Sequence, residues 1–425
     1  MKSRGFLFRD GRPPGHLLIF VVMMIDMTAF GIAIPVFPRF IQSFVGGDSA
    51  LTARYVGWFG AAWAAASLLA LPVLSALSDR FGRRRVLLIS IFGYSLECAA
   101  MAMAPTLGWL FAGRVASGLT AATFATSSAY LADITPPAER AARYGLVSVA
   151  VSVGYILGPA LGGVLGDLNV RLPFWVCGGL ALTNWLYVAV FLPESLDQTQ
   201  RAPFSFKRAN PVAAVAFYGR SRAMLSLGAM LFLYYLAQQA AQTVLVPYVS
   251  YRYHWNIKTV GVVLGVLGVG TIAVQGLLTR AIVRRFGEGV ALAVGLAAAA
   301  IGFAIYGAAA STAPFVSAVA FLALAGMTLP ALQALLTRMV SSSEQGRLQG
   351  ANMGLLALAS LAGPLLFSEV YARAISDWRA WAPVGSPFFV ACGCVVLALS
   401  QALPLALSRR HSPAKRSGMA PEEPN

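Results

Sequence analysis

Leu77-Ser78-Asp79-Arg80-Phe81-Gly82-Arg83-Arg84-Arg85-Val86 is the stretch that decides how this chain folds. It is short, polar and rich in arginine, and apolar runs abut it on both sides, 55–77 before and 86–104 after. Each run reaches the roughly 20 predominantly apolar residues that a helix needs to cross a bilayer. Gly82 permits a sharp turn between two such helices, because it carries no Cβ. The stretch therefore reads as a helix–turn–helix corner at a membrane surface. Asp79, ending a helix among arginines, is placed to form a charge-paired latch with Arg80, Arg83 and Arg84.

Outward from this corner the pattern continues. Further apolar runs cover 17–43, 107–132, 143–166 and 172–193, then 223–250, 259–281, 289–309, 313–338, 348–371 and 384–407. The expected fold is an all-α membrane protein of twelve transmembrane helices. Composition agrees: 58% of residues are hydrophobic and 11% charged, against roughly 25% charged in soluble domains. Folding at this size buries only about three quarters of the chain's surface, so the excess apolar surface must face lipid. The longest polar segment, 194–222, carries Arg201, Lys207, Arg208, Arg220 and Arg222. It divides the chain into an N-terminal half (1–193) and a C-terminal half (223–408) of six helices each, with a tail at 409–425.

Arg284-Arg285-Phe286-Gly287-Glu288 follows the eighth helix as Arg80–Gly82 follows the second, and both contain Arg-Phe-Gly. This internal repeat makes the halves pseudo-symmetric, a recurrent transporter design with a site between the repeats. The net charge of +16 does not indicate nucleic acid, because the basic residues lie in short runs between apolar segments. With the N-terminus inside, cytoplasmic segments hold 24 of the 32 Lys and Arg, outer loops hold 7, and Arg114 lies within the fourth helix. That asymmetry predicts cytoplasmic termini. The apolar run from Leu17 follows Lys2, Arg4, Arg9 and Arg12; it is too long for a signal-peptide core and reads as the first helix. Cys98, Cys177, Cys392 and Cys394 lie in apolar runs, and His16, His254 and His411 are scattered. Neither a disulfide framework nor a metal site is expected, and no cofactor. The preference for Arg and Ala over Lys suggests a bacterial source.

Charges inside apolar runs are costly and read as functional. Asp26 lies in the first helix, nine residues before Pro35 and upstream of Pro38, and near mid-membrane by helical rise. Glu97 lies in the third helix and Arg114 in the fourth. Burial penalises the charged form of a carboxyl, as a proton carrier requires, whereas Arg stays charged and can hold a carboxylate. A static buried ion pair is the alternative for these two. Asp133, followed by Pro136-Pro137-Ala138-Glu139-Arg140, closes the fourth helix and can join the arginines of the corner. In the fifth helix, Gly154, Gly158, Pro159, Gly162 and Gly163 let the helix kink and pack closely. Gln238, Gln239 and Gln242 in the seventh offer neutral hydrogen bonds to a substrate or to neighbouring helices. Phe232, Tyr234 and Tyr235 can supply an aromatic wall.

The corner resembles the signature loop of the major facilitator superfamily, although Ser75 stands where that loop has Gly. The glycines around Pro159 resemble the motif of its drug/proton antiporters, which implies export. Asp26 with its prolines, Glu97, Arg114, Tyr251–Trp255, Leu329-Pro330-Ala331-Leu332-Gln333, Gln345–Gly350 and Gly363–Phe367 are similar to the tetracycline/proton antiporter branch. The resemblance spans about 17–400 and implies substrate contact at Gln333. That branch carries a His in its eighth helix and an Asp in its ninth; the matching positions here are Thr271 and Ala299. A metal-bound tetracycline is therefore a doubtful substrate, and another small, largely apolar drug or metabolite is expected. A monomer in the bacterial inner membrane, exchanging this compound for protons by alternating access, is the resulting expectation. A proton-coupled importer or facilitator is the nearest alternative, but it would want a more polar cavity and would lack the Gly-Pro pattern. A membrane enzyme would need clustered His, Asp or Glu, a receptor would need no intramembrane carboxylate, and an ATP-driven pump would need a nucleotide-binding loop.

Overall fold

The computed structural model of the chain describes residues 15–136, 139–197, 216–341 and 344–408. The N-terminal arginines and Lys2, Pro137-Ala138, the linker basics Arg201, Lys207 and Arg208, and the tail 409–425 lie outside them. Helix is the regular element throughout, as lipid demands, because it pairs its backbone groups within one segment. In chain order the helices are α1 (Gly15–Ala33), α2 (Phe37–Phe44), α3 (Ser49–Phe81), α4 (Arg83–Met103), α5 (Leu107–Thr120) and α6 (Thr123–Ile134). Then come α7 (Arg140–Leu168), α8 (Leu172–Phe191), α9 (Arg222–Tyr253), α10 (Ile257–Ala273) and α11 (Thr279–Phe286). The last are α12 (Glu288–Ala308), α13 (Thr312–Ala325), α14 (Thr328–Thr337), α15 (Gln345–Ile375) and α16 (Ser386–Ser408). Among the described residues, eleven helical runs are long and apolar enough to cross a membrane. The twelfth crossing is α5 with α6, which the break at Ala121-Ala122 divides into two short pieces.

Three other crossings depart from a continuous helix. Pro35 removes a backbone donor, and α1 gives way to α2 across Ile34–Val36. Gly326-Met327 separates α13 from α14, and a π turn, Val274–Leu278, joins α10 to α11. The second crossing starts at Ser49, earlier than its apolar run, because Asp48 caps it: the Asp48 carboxylate accepts from Leu51 N–H at 2.9 Å. Ser221 and Asn256 cap α9 and α10 the same way. Such caps satisfy N–H groups that a helix start leaves without partners.

The two Arg-Phe-Gly corners share one backbone solution. Gly82 turns at φ 103° between α3 and α4, and Gly287 at φ 84° between α11 and α12, a region L-residues with side chains seldom enter. The largest buried cluster is formed by residues from Phe217 onward together with Ala53. Three smaller clusters are formed by residues before 193 together with Ile257. Large apolar side chains such as Trp58, Leu69 and Leu277 face outward, as they must in lipid.

Between the earlier and later helices the contacts are close at the end far from Gly82. Here α3 packs on α15 and α7 on α10. A Cβ on Gly57 would lie 2.7 Å from the Pro364 carbonyl, and one on Gly163 would lie 2.9 Å from that of Ile257. Two polar ties cross at this end: Arg54 Nε to Glu369 Oε2 at 3.2 Å, and Arg39 Nη2 to the Trp255 carbonyl at 3.0 Å.

Candidate functional site

A cavity of about 520 Å³ lies between the two sets of helices. Its earlier wall is aromatic, with Phe30, Phe37, Trp63, Tyr94 and Tyr155, and its later wall carries Gln238, Gln239, Gln242, Thr271 and Gln275. Arg114 supplies the only charged side chain among the described lining residues. Its guanidinium lies over the rings of Phe37 (5.1 Å) and Trp63 (5.8 Å), an arrangement that favours a cation.

Behind Arg114 sits Glu97, 3% exposed. Arg114 Nη1 donates to Glu97 Oε1 at 3.2 Å, so the two residues singled out in neighbouring helices meet. Tyr94 and Met101, one turn to either side of Glu97 on α4, line the cavity. Glu97 is set back from it behind Arg114. Asp26 is half-buried on α1 and is not among the lining residues. It stands four residues before Phe30, and positions four apart share a helix face. Asp26 therefore extends the stripe Phe30–Ile34–Phe37 toward the Gly82 end, about 6 Å from Phe30 along α1 by helical rise.

The seventh-helix residues divide. Gln242 is exposed to the cavity, Gln238 Nε2 donates to Tyr234 Oη at 3.1 Å, and Gln239 Nε2 donates to Ser360 Oγ at 3.0 Å. Tyr234 and Tyr235 are buried in the later core and do not line the cavity. Tyr234 Oη donates to the Ala325 carbonyl beside the break in the tenth crossing. Phe232 and Gln333 also lie off the lining. The aromatic wall thus comes from the earlier helices, through rings that do not stand out in apolar runs. Gln275, on the π turn, donates to the Gly326 carbonyl at 3.2 Å. A neutral residue does not stand out in an apolar run; its signal is the conformation, since π turns recur at functional sites. Thr271 lines the cavity, whereas Ala299 is buried in the later core.

The fifth-helix glycines serve packing. A Cβ on Gly154 would lie 2.8 Å from the Met24 carbonyl, and one on Gly158 would run into Gly31 and the Thr28 carbonyl. Gly162 abuts Ile32 in the same manner, and Gly163 faces Ile257 across the cavity's closed end. Pro159 lines the cavity.

At the Gly82 corner, Arg83 pairs with Asp79 and, at 3.0 Å, with Asp133. It also reaches Ser78 Oγ at 3.2 Å. Arg80 lies over the Phe81 ring, and Arg84 donates to the Ala189 carbonyl at 2.5 Å. Glu194, read from sequence as part of the linker, belongs to this network. Its carboxylate accepts from the N–H groups of Arg83 (2.8 Å), Arg84 (3.3 Å), Ser195 (3.1 Å) and Leu196 (3.2 Å). Its signal was Pro193-Glu194-Ser195 ending a crossing beside an arginine cluster. The other half repeats the cross-tie with charges exchanged: Glu288, beginning α12, pairs with Arg338, just after α14.

Over residues 19–364 and 227–424 the chain matches the Major Facilitator Superfamily. It is 35% identical to the class C tetracycline resistance protein of Escherichia coli, covering 88% of this chain and 94% of that one. Among solved structures it is similar to the human organic anion transporter MFSD10, with TM-score 0.68 and 24% identity over 92% of this chain and 100% of that one. A mutant form of the peptide transporter POT matches with TM-score 0.76 at 15% identity over 96% of each chain.

Proposed function

The chain belongs to the Major Facilitator Superfamily, and from that premise we propose that it is a proton-coupled antiporter exporting a small, largely apolar drug or metabolite. The observation that carries the reading is Glu97, sealed from water and joined to Arg114, whose guanidinium is on the cavity wall. Protonation of Glu97 removes its charge and leaves Arg114 without a counter-ion. Proton uptake at a site closed to solvent is thereby felt at the substrate cavity. Asp26, farther along the first crossing, is the second proton carrier. Inward proton flow contributes about 2.3 kcal/mol per charge per 100 mV.

The transporter is a multi-pass membrane protein that works as a monomer in a bacterial inner membrane, with both termini and the Gly82 and Gly287 corners in the cytoplasm. Its halves, 1–193 and 223–408, rock about the cavity. The conformation described is closed at the outer end, where Arg54 meets Glu369 and Gly57 meets Ser368, and outward opening must part these contacts. An ion pair as exposed as Arg54–Glu369 is worth about 1 kcal/mol or less, which suits a contact broken in every cycle. Aromatic rings and glutamine amides suit a flat, uncharged compound. With Thr271 and Ala299 in place of ionisable groups, a metal-free ligand is favoured over a metal chelate. The name of the class C relative makes tetracyclines the first compounds to compare.

The test is a drug-susceptibility panel in a pump-deficient host, with and without the gene, followed by export assays with a protonophore. Reduced susceptibility that the protonophore abolishes is the expected result. Gradient-driven accumulation of the compound inside cells would overturn export.

A further inference from the structure

The closed outer end contains a second cavity, of about 650 Å³, for which the export cycle has no role. Both sets of helices build it. Arg39, Gln42 and Thr52 come from α2 and α3, and Ser250, Arg252 and His254 come from the end of α9 and the residue after it. No Asp or Glu is among the described residues that line it.

This composition is unusual for a space between packed helices. Two guanidinium charges around one cavity repel unless a counter-charge is near. Their known bonds leave donors over. Arg39 gives Nη2 to the Trp255 carbonyl, and Arg252 gives Nε to the Ala309 carbonyl at 3.1 Å. A guanidinium has five N–H donors. His254 is held at φ 54°, the one described residue other than glycine in the left-handed region. This is the left-handed C-cap that ends α9, and it leaves His254 on the cavity lining. The neighbouring Gln42, Thr52 and Ser250 spend their donors on the carbonyls of Gly47, Asp48 and Trp255, so the arginines and His254 carry the site.

We propose that this outer cavity is an oxyanion site that takes a phosphate group between Arg39, Arg252 and His254. The guanidiniums supply charge-assisted bonds of the kind arginine forms with phosphate. A phosphate held there touches both sets of helices at once, as the Arg54–Glu369 pair does nearby. Either a phospholipid headgroup of the outer leaflet or free phosphate presents this chemistry.

The experiment is thermal unfolding of the purified full chain in neutral detergent. One arm compares inorganic phosphate with sodium chloride at equal ionic strength. The other compares added phosphatidylglycerol with an uncharged glycolipid of the same chains. A ligand of the native state raises the midpoint, here by about 2 °C. A rise with inorganic phosphate identifies the free ion, and a rise with phosphatidylglycerol alone identifies the headgroup. The rise should vanish in Arg252→Gln and persist in Arg252→Lys. His254→Gln serves as the second variant if Arg252→Gln does not fold in chloride, and it should weaken the response. Equal midpoints in all four conditions, or a rise unchanged in the Gln variants, would overturn the proposal.

Discussion

Arg114 Nη1 stands 3.2 Å from Glu97 Oε1, the arginine on the cavity wall and the glutamate sealed behind it. If protonation of Glu97 drives the cycle, Glu97→Gln should flatten the pH dependence of transport while the protein still inserts and folds. Arg114→Ala should be harsher, because it leaves a buried carboxylate without its cation, at about 3 kcal/mol or more. Initial rates in proteoliposomes across a pH series, with wild type alongside, test the first variant. A pH profile unchanged in Glu97→Gln, with normal coupling, would make the pair structural and leave Asp26 as the carrier.

Asp26 continues the cavity-lining stripe of α1 and is only half-buried. Asp26→Asn keeps the shape and removes the charge. Coupled export should fall to background while membrane levels and the melting midpoint stay close to wild type. Gradient-driven transport at the wild-type rate would remove Asp26 from the mechanism.

Glu194 and Asp79 should separate stability from turnover. The Glu194 carboxylate accepts four backbone N–H groups around the corner, and a charged acceptor holds such donors more strongly than a neutral amide oxygen does. Glu194→Gln should therefore lower the melting midpoint clearly. Asp79 shares Arg83 with Asp133 and has a half-exposed side chain, so Asp79→Asn should change stability by about 1 kcal/mol or less. Its loss should appear as slower transport. Equal destabilisation in the two variants would assign Asp79 to the scaffold.

Arg220 joins Glu344 at 2.5 Å, and this hydrogen bond holds the Glu344 carboxyl below its ordinary range. A carboxyl so depressed stabilises the folded state above its unfolded pKa, and the effect is lost as pH falls through the folded value. Glu344→Gln should melt earlier than wild type at neutral pH, and the difference should close in acid. A gap that widens on acidification would reverse the assignment.

How much of this was legible in the sequence depends on what is local. The crossings follow from apolar length, and the corners at Gly82 and Gly287 follow from a glycine beside charge. Asp26, Glu97 and Arg114 stood out because charge inside an apolar run is rare. The interruptions at Ala121-Ala122 and Gly326-Met327 were not legible, because neighbouring helices can satisfy freed backbone groups in a membrane. An apolar run then looks continuous whether or not its helix is. The sequence offers Tyr234 and Tyr235 as an aromatic wall, whereas they are buried in the later core. Most of α9 is apolar, so its pattern does not say which face is inward. Arg54 and Glu369 lie 315 positions apart in sequence, and only the packing of α3 on α15 reveals that they meet.

The π turn at Val274–Leu278 has a consequence for comparing this chain with its relatives. A π turn holds one residue more than an α turn, so it behaves as a single-residue insertion in an otherwise regular helix. In an α-helix one residue corresponds to a rotation of about 100°. Taken up as a bulge, the extra residue leaves Arg280, Arg284 and Arg285 on the faces they would hold in a plain helix one residue shorter; carried by a regular helix instead, it would swing them to another face. Relatives with a plain helix here would need a gap of one in alignment. Without it, every residue from the turn to Gly287 would be matched to the wrong partner.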